Sequence, residues 1–562
     1  MKRNQFVLLF ICFFSAYHLF AATPALNWAT YYGGIGNDAA QFVATDHKGN
    51  VYIAGNTSSK TGIASPGAFR TTPSSCFIAK FNSLGDRQWA TYFGYGLETI
   101  RGLAIDNSEN VFITGETRTD SGIATKGAYQ TSLVSQDFNP IDAFIAKFND
   151  SGNLIWSTYY GQGGNGNPGG GDLPLAVATD FTGNVYIGGH TGSSSGIATS
   201  GSFQTAGPHQ YSNEIAGFLA KFSTSGQLLW GTYYSAIQSI STDQGGNVYV
   251  AGELNSLAKF NSGGSRLWAV KRGGAPSAII SDQDGNIYVA GNTQSDTGIA
   301  TAGAYQTSFS GGNNYASNPS FAGDAFLEKF NTNGSFLWAT YFGGSGSDAA
   351  LSIAADSTGN IYIAGITTSR SGIASTGAYQ VSLAPDSLGV DAFLAKFSSH
   401  GTRIWSTYFG EGEITQAFGL ATEGNGNVYI AGFTNDTLGK MASSGAFQAS
   451  YGGGKSDAFL ASFNSPFSGF GANSIPQCVI SAFPNPFQNS FTLQYSVPES
   501  SKVNICLSDL SGKQIYTLQE AIPASGSFLI NIDLEKYQLP KGVYILRLTT
   551  DKESVTRQII KM

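Results

Sequence analysis

Six acidic residues recur at one place in a repeated phrase. Asp38, Glu98, Asp172, Asp348, Glu411 and Glu413 each fall a few residues beyond a run of the form W-[AS]-T-Y-[YF]-G, and after Trp268 the same place holds Lys271 and Arg272. Carboxylates gathered by a repeat can do two kinds of chemistry. Hard oxygen ligands hold Ca2+ when about six to eight of them converge, and two carboxyl groups facing across a sugar can act as general acid and as base or nucleophile on a glycosidic bond. Other motifs are less persuasive. GGIGND (33–38) and GGSGSD (343–348) match the start of a calcium-binding nonapeptide, but that motif works through tandem stacked copies and these two lie far apart, so they read as structural loops. Asp282-Gln-Asp284-Gly-Asn286 has the look of part of a calcium loop and reads as a hairpin turn.

Nucleotide and nucleophile motifs fail on context. GGGKS (452–456) lacks the first glycine of a phosphate loop, since Ala449 stands there, and it precedes a strand where a helix is required. GSSSG (192–196) has no strand-to-helix elbow after it. His47 and His400 sit in hairpin turns, and His190 and His209 share one unit without zinc or triad spacing. The net charge is −7 with no basic stripe, which argues against nucleic acid.

The elements that must position these residues come from an internal repeat. Seven tryptophans, Trp28, Trp89, Trp156, Trp230, Trp268, Trp338 and Trp405, recur at roughly 60 to 75 residues, with one short interval between Trp230 and Trp268. A second phrase, D-x-x-G-N-V-Y-I-A-G, begins at Asp46, Asp106, Asp180, Asp243, Asp282, Asp356 and, with the acid changed, Glu423. A third, A-F-L-A-K-F, also occurs seven times in looser variants. Short runs rich in Val, Ile, Tyr and Phe between Gly, Asn and Ser are strands. In the unit after Trp89 they are 103–106, 110–115, 143–148 and 154–160, an antiparallel meander of strands a, b, c and d. Seven such meanders predict a seven-bladed β-propeller. Charged residues at 12%, 72 glycines and 13% aromatics fit many short buried strands joined by turns.

The repeat starts with a d strand at Trp28 and ends with a c strand at 458–463. Trp28 and Tyr31 are therefore expected to complete the last blade and close the ring, which leaves no open edge. The lysines of A-K-F (Lys80, Lys147, Lys221, Lys259, Lys329 and Lys396) read as a solvated outer stripe with packed stems. The fourth unit lacks the G-I-A-T-x-G-A-Y-Q segment seen at 298–306 and should be trimmed on one rim.

Residues 1–25 read as a secretory signal peptide: Lys2 and Arg3, an apolar run from Phe6 to Phe14, then small residues at Ala21, Ala22 and Ala25. No later stretch is apolar enough to span a bilayer as a helix. The propeller is assigned 26–464, a linker 465–477, and 478–562 reads as a small β-sandwich with turns at Pro484-Asn485-Pro486 and Ser511-Gly512-Lys513. Cys478 and Cys506 there could form a bridge or remain two thiols.

The repeat phrases T-Y-x-G-G, D-x-x-G-N-V-Y-x-A-G-x-T and D-A-F-x-A-K-F resemble the SBBP family of seven-bladed propellers of secreted bacterial proteins, over about 26–464. FPNPF (483–487), LSGKQIY (510–516), KGVYILRL (541–548) and RQIIKM (557–562) resemble the C-terminal sorting domain of the type IX secretion system. That likeness implies handling by the type IX machinery and delivery to the outer surface or beyond. The a-to-b and c-to-d turns are short and share one face of a propeller, so the long b-to-c and d-to-a loops share the other, where function is expected. Asp38, Glu98, Asp172, Asp348, Glu411 and Glu413, opposed by Lys271 and Arg272, would give that face a weakly acidic mouth able to hold a cation such as calcium or a polar ligand. No cofactor is otherwise expected. The reading is a non-catalytic binding module for an extracellular protein or glycan; the alternative is a polysaccharide lyase or hydrolase on the same scaffold.

Overall fold

The computed structural model describes residues 24–134, 141–162, 171–207, 216–253, 256–312, 321–384, 389–423, 426–464, 479–483, 487–497, 501–509, 512–522, 526–551 and 554–561. His209, Cys478, the linker and all but the end of the signal sequence lie outside them. The chain divides into two compact units, Ala21–Ser468 and one built on Gly469–Met562.

The a-to-b hairpins form because an aspartate folds its own turn. Asp46 Oδ1 accepts the backbone N–H groups of Lys48 and Asn50, both at 2.9 Å, and Gly49 follows at φ 84°, where a side chain would be strained. Each hairpin extends into a four-stranded antiparallel sheet ordered a-b-c-d. Blade 1 comprises Asp38–Thr45, Val51–Thr57, Cys76–Phe81 and Arg87–Phe93, and blade 2 Glu98–Ile105, Val111–Thr117, Asp142–Phe148 and Leu154–Tyr160. Blade 3 begins at Leu173, blade 4 at Ile237, blade 5 at Ala275 and blade 6 at Asp348. Strand a of blade 2 starts five residues earlier than the apolar run predicts, at Glu98, because a bulge between Ile100 and Gly102 interrupts the alternation. Every strand a carries a bulge at the same place.

Blade 7 joins the two ends of the repeat region. Thr415–Thr422, Asn427–Thr434 and Asp457–Asn464 are completed by Ala25–Tyr32, with Ala29 opposite Ala461 and Tyr31 opposite Phe459. The seven a strands neighbour one another in a closed circuit, blade 7 touching blade 1. A hydroxyl ladder binds the circuit near the short-turn end: Thr45 donates to the Thr422 carbonyl, Thr179 to Ile105, Thr242 to Thr179, Ser281 to Thr242 and Thr422 to Ala355, at 2.7–3.1 Å. It skips the two blades that place Ile105 and Ala355 there.

Packing between blades supplies the core. One cluster joins Tyr362 and Trp405 of blade 6 to Tyr31, Phe459 and Phe463 of blade 7. Tryptophan also latches each junction. Trp28, Trp89, Trp156, Trp230, Trp268 and Trp338 donate Nε1–H to a carbonyl in the c-to-d turn of the next blade, at 2.8–3.2 Å. Blade 7 has no such turn, because its c and d strands come from opposite ends of the repeat region, and the buried Trp405 Nε1 has no acceptor among the described residues.

In six blades the b-to-c loop returns along the outer edge of strand d. Ser65 donates to the Ala90 carbonyl and Tyr92 to that of Arg70, and the pattern repeats through Ser443 to Ala29 and Tyr31 to Gln448 in blade 7. In blade 4 strand b ends at Gly252 and strand c begins at Ser256, so no loop is long enough to do this. The second compact unit stacks a three-stranded sheet (Val479–Phe483, Ser490–Val497, Gly526–Asp533) with a four-stranded one (Ser501–Asp509, Gln514–Ile522, Gly542–Thr549, Ser554–Lys561). Their shared core includes Phe491, Leu493, Ile505, Leu546 and Leu548. Cys506 is a free thiol.

Candidate functional site

Four of the six predicted acids turn inward. Asp38, Asp172 and Asp348 begin or precede strand a, and each accepts hydroxyl hydrogen bonds from a threonine and a serine just past strand b: Thr57 and Ser59, Thr191 and Ser193, Thr367 and Ser369. Asp38 also accepts from Gly34 N–H at 2.9 Å and Asp348 from Gly344 N–H at 2.8 Å, which fastens the d-to-a loop. Glu98, one carbon longer, reaches the N–H groups of Tyr95, Gly96 and Leu97. All four are at most 3% exposed. In blade 7 the acid has moved: Thr415 stands at the start of strand a, and Asp436, past strand b, accepts from Tyr31 Oη. Glu411 is half-buried and raised by its burial and by neighbouring Asp436, while Glu413 is exposed beside Asn435. The loops that resemble calcium motifs thus direct their last aspartate into the protein.

A second set of acids, which the sequence did not single out, faces the first. Asp142, Asp324, Asp391 and Asp457 open strand c and are fully buried. Asp457 Oδ2 accepts from Gly452 N–H, and Asp324 Oδ2 accepts from Ser310 N–H at 2.7 Å. Three of these acids meet their counterparts across a glycine: a Cβ on Gly33 would lie 2.6 Å from Asp38 Oδ2 and 2.9 Å from Asp457 Oδ1, and one on Gly161 would lie 2.5 Å from Asp172 Oδ2 and 2.8 Å from Asp142 Oδ1. Gly343 separates Asp348 and Asp324 in the same way. Burial pushes Asp348 and Asp457 up to about 7, and Asp324 and Asp391 up to about 6, against the hydrogen bonds they accept.

At the short-turn end the lysines are not a solvated stripe. Lys80, Lys147, Lys221, Lys259 and Lys396 are buried and ion-paired with Asp46, Asp106, Asp180, Asp243 and Asp356 of the hairpins. Each lies over the ring of the strand b aromatic paired with it, Lys221 4.8 Å from the centre of Tyr186. The reason is register: strand b sets that aromatic opposite the lysine, and the aspartate of the preceding turn hangs over both. Asp46, Glu109 and Asp150 come together there at metal-ligand spacing, yet Lys80 holds Asp46 and Asp150, and Lys48 holds Glu109. Arg272 also leaves the expected mouth. It pairs with the buried Glu328 at 3.1 Å and stacks 3.8 Å over Phe336, filling the space next to the loop-poor blade 4.

What does vary around the axis at the long-loop end is a ring of two residues per blade. One is the bulged residue of strand a: Gln41, Arg101, Leu175, Gln238, Ser277, Leu351 and Phe418. The other is the residue after the glycine that closes strand b: Asn56, Glu116, His190, Glu253, Asn292, Ile366 and Phe433. Blades 1, 2, 4 and 5 carry polar pairs, and blade 3 sets His190 beside Leu175. Asn56 donates to Gln41 at 2.7 Å, Arg101 bonds Glu116 at 3.2 Å, and His190 lies 3.3 Å from Gln238 and 3.6 Å from Glu253. Burial holds His190 below the usual imidazole range, against the charge of Glu253. Blades 6 and 7 are apolar: Leu351 and Ile366 pack with Val390 and Ile414, and Phe418 lies 5.8 Å from Phe433. The signal for this ring was in the sequence, as the position x of A-G-x-T, whose chemistry changes from unit to unit in an otherwise repeated phrase.

Seven four-stranded blades closed by an N-terminal strand define a repeat propeller, and a separate unit is a β-sandwich. Comparison with known families agrees. A beta-propeller repeat model matches residues 27–61, 88–120, 337–371 and 404–440, and a secretion system C-terminal sorting domain matches residues 481–562. The chain carries SBBP-type β-propeller repeats and a type IX secretion sorting domain. That domain directs the protein to the outer cell surface or the extracellular space. No helix among the described residues is long and apolar enough to cross a membrane.

An uncharacterised WD repeat-containing protein of Acanthamoeba polyphaga mimivirus is 25% identical over 407 residues, covering 64% of this chain and 26% of its own length. The chain thus spans about a quarter of that relative. Among solved structures, BamB from Moraxella catarrhalis shares 12% identity at a TM-score of 0.34, over 78% of this chain and 99% of its own. A protein of unknown function from Bacteroides caccae shares 12% at 0.32, over 59% and 89%.

Proposed function

We propose that the exported propeller is a non-catalytic binding module that takes a glycan at the long-loop end of its axis. The observation that carries this reading is the ring of paired positions, uniform in place and different in chemistry. Side-chain amides, the Arg101–Glu116 pair and the His190–Glu253 pair form a hydrogen-bonding arc suited to sugar hydroxyls. Phe418 and Phe433 form an apolar arc suited to the flat face of a sugar ring. Binding is favoured over catalysis because the two ring carboxylates, Glu116 and Glu253, each already have a basic partner.

The test is a glycan array with the full secreted protein, Gln41→Ala and Phe433→Ala variants alongside, and a reducing-sugar assay on each bound glycan. Binding that falls at least tenfold in both variants, with no sugar released, is the expected result. Retention by a secreted protein in place of any glycan would move the reading to a protein ligand, and sugar release would move it to an enzyme.

A further inference from the structure

The loop that covers strand d in six blades is missing in blade 4, and the strand it would cover, Arg266–Lys271, differs in consequence. Elsewhere the two residues whose backbone groups face outward are a small residue and a tyrosine, both buried, such as Ala90 and Tyr92. Here they are Ala269 and Lys271, both exposed. Their inward neighbours are paired with strand c as in the other blades, Ala258 opposite Ala269 and Ser256 opposite Lys271. Among the described residues nothing donates to or accepts from their outer N–H and C=O groups. The edge is also cationic in an acidic protein. Lys271 and Arg266 are exposed and form no ion pair among the described residues, Arg266 lying with its guanidinium 4.5 Å over Phe203.

We propose that this strand docks an extended acidic segment of another protein, which adds to blade 4 as a fifth strand. Backbone groups left open at a sheet edge are the recognition element of strand addition, and side chains on alternate residues set its selectivity. A partner with carboxylates near Arg266 and Lys271 is favoured. A second copy of the chain is not, since self-pairing would bring two identical edges together, each carrying Arg266 and Lys271, and like charges facing one another across adjacent strands are destabilising.

The experiment uses the full secreted protein and three blocked hexapeptides: alternating Glu and Val, alternating Lys and Val, and the Glu peptide with its second valine replaced by proline. The acidic peptide should bind at least tenfold more tightly than either of the others. Arg266→Glu with Lys271→Glu should reverse the preference between the charged peptides. Ala269→Pro removes one outward donor while keeping the inner ladder, and should abolish binding without moving the melting temperature; if that variant does not fold, the charge reversal decides alone. Absent or charge-independent binding would overturn the proposal. So would slow hydrogen exchange at Ala269 and Lys271 in the unliganded protein, which would mean that its own chain covers the edge, or a concentration-dependent dimer lost on charge reversal.

Discussion

The two ends of the propeller use aspartate in opposite ways. At the short-turn end Asp180 is buried, which alone would raise it, but hydrogen bonds from Thr182, Asn184 and Lys221 outweigh burial and hold it at about 2. Asp243 and Asp356 are lowered for the same reason. At the long-loop end Asp348 and Asp457 are buried beside other carboxylates, and burial wins, to about 7. One end is a repeated ion-paired clasp; the other holds its loops with buried acids, among them Asp324, Asp348, Asp391 and Asp457, which that burial raises, and varies at the axis. Stability is concentrated where the blades are alike, and the proposed recognition lies where they differ.

The largest test strikes the clasp and the closure. Lys221→Ala leaves Asp180 buried without its cation and should cost about 3 to 5 kcal/mol in chemical denaturation. Trp28→Ala should cost a similar ~3 to 5 kcal/mol, since it removes a packed ring and a junction hydrogen bond from the closing strand. A change within about 0.5 kcal/mol at either site would mean the short-turn end is ordinary surface.

Proton linkage separates the ends more finely. A carboxyl raised on folding stabilises below its unfolded pKa, and that contribution is lost as pH rises through the folded value. Asp324, Asp391, Asp348 and Asp457 should therefore make the propeller melt progressively lower from about pH 4 to about pH 8. The clasp acids act in the opposite sense, their contribution being lost only as pH falls below about 4 toward 2. Asp457→Asn with Asp348→Asn should flatten the upper slope and leave the acid limb in place. An unchanged slope would put the long-loop acids outside the titration.

The orphaned tryptophan gives a smaller contrast within one residue type. Trp230→Phe loses a hydrogen bond to Ser262 and should cost more than Trp405→Phe, which removes a buried donor that has no acceptor; the difference should be about 1 to 3 kcal/mol in paired melts. Equal costs would mean that water satisfies Trp405.

Much of the frame could be read from the chain because it is built by repetition. Seven tryptophans imply seven strands of one kind, and a d strand at Trp28 without its own c strand implies closure. What the sequence concealed depends on contacts that one-dimensional spacing cannot express. Lys80 looked like a solvated stem because its aspartate lies 34 positions earlier, in the a-to-b turn. Asp38 looked free because Thr57 and Ser59 hold it from beyond strand b. Gln41 and its six counterparts were hidden by the bulge itself, which reverses the inward-outward alternation on which strand reading depends.

The smallest effect on stability is expected at those ring positions, and it is the sharpest use of the comparison. Gln41, Glu253 and Phe433 are all partly exposed, and none belongs to the tryptophan latches or the ion-paired clasp. Gln41→Ala, Glu253→Gln and Phe433→Ala should each leave unfolding within about 0.5 to 1 kcal/mol of the parent, with Phe433→Ala at the upper end because it faces Phe418. If one of them instead unfolds the protein as Lys221→Ala does, the ring is part of the scaffold and its varied chemistry reflects packing between unlike blades. If all three are silent in melting, the variation has no structural explanation, and ligand contact is the physical reason left for seven similar blades to end in different side chains.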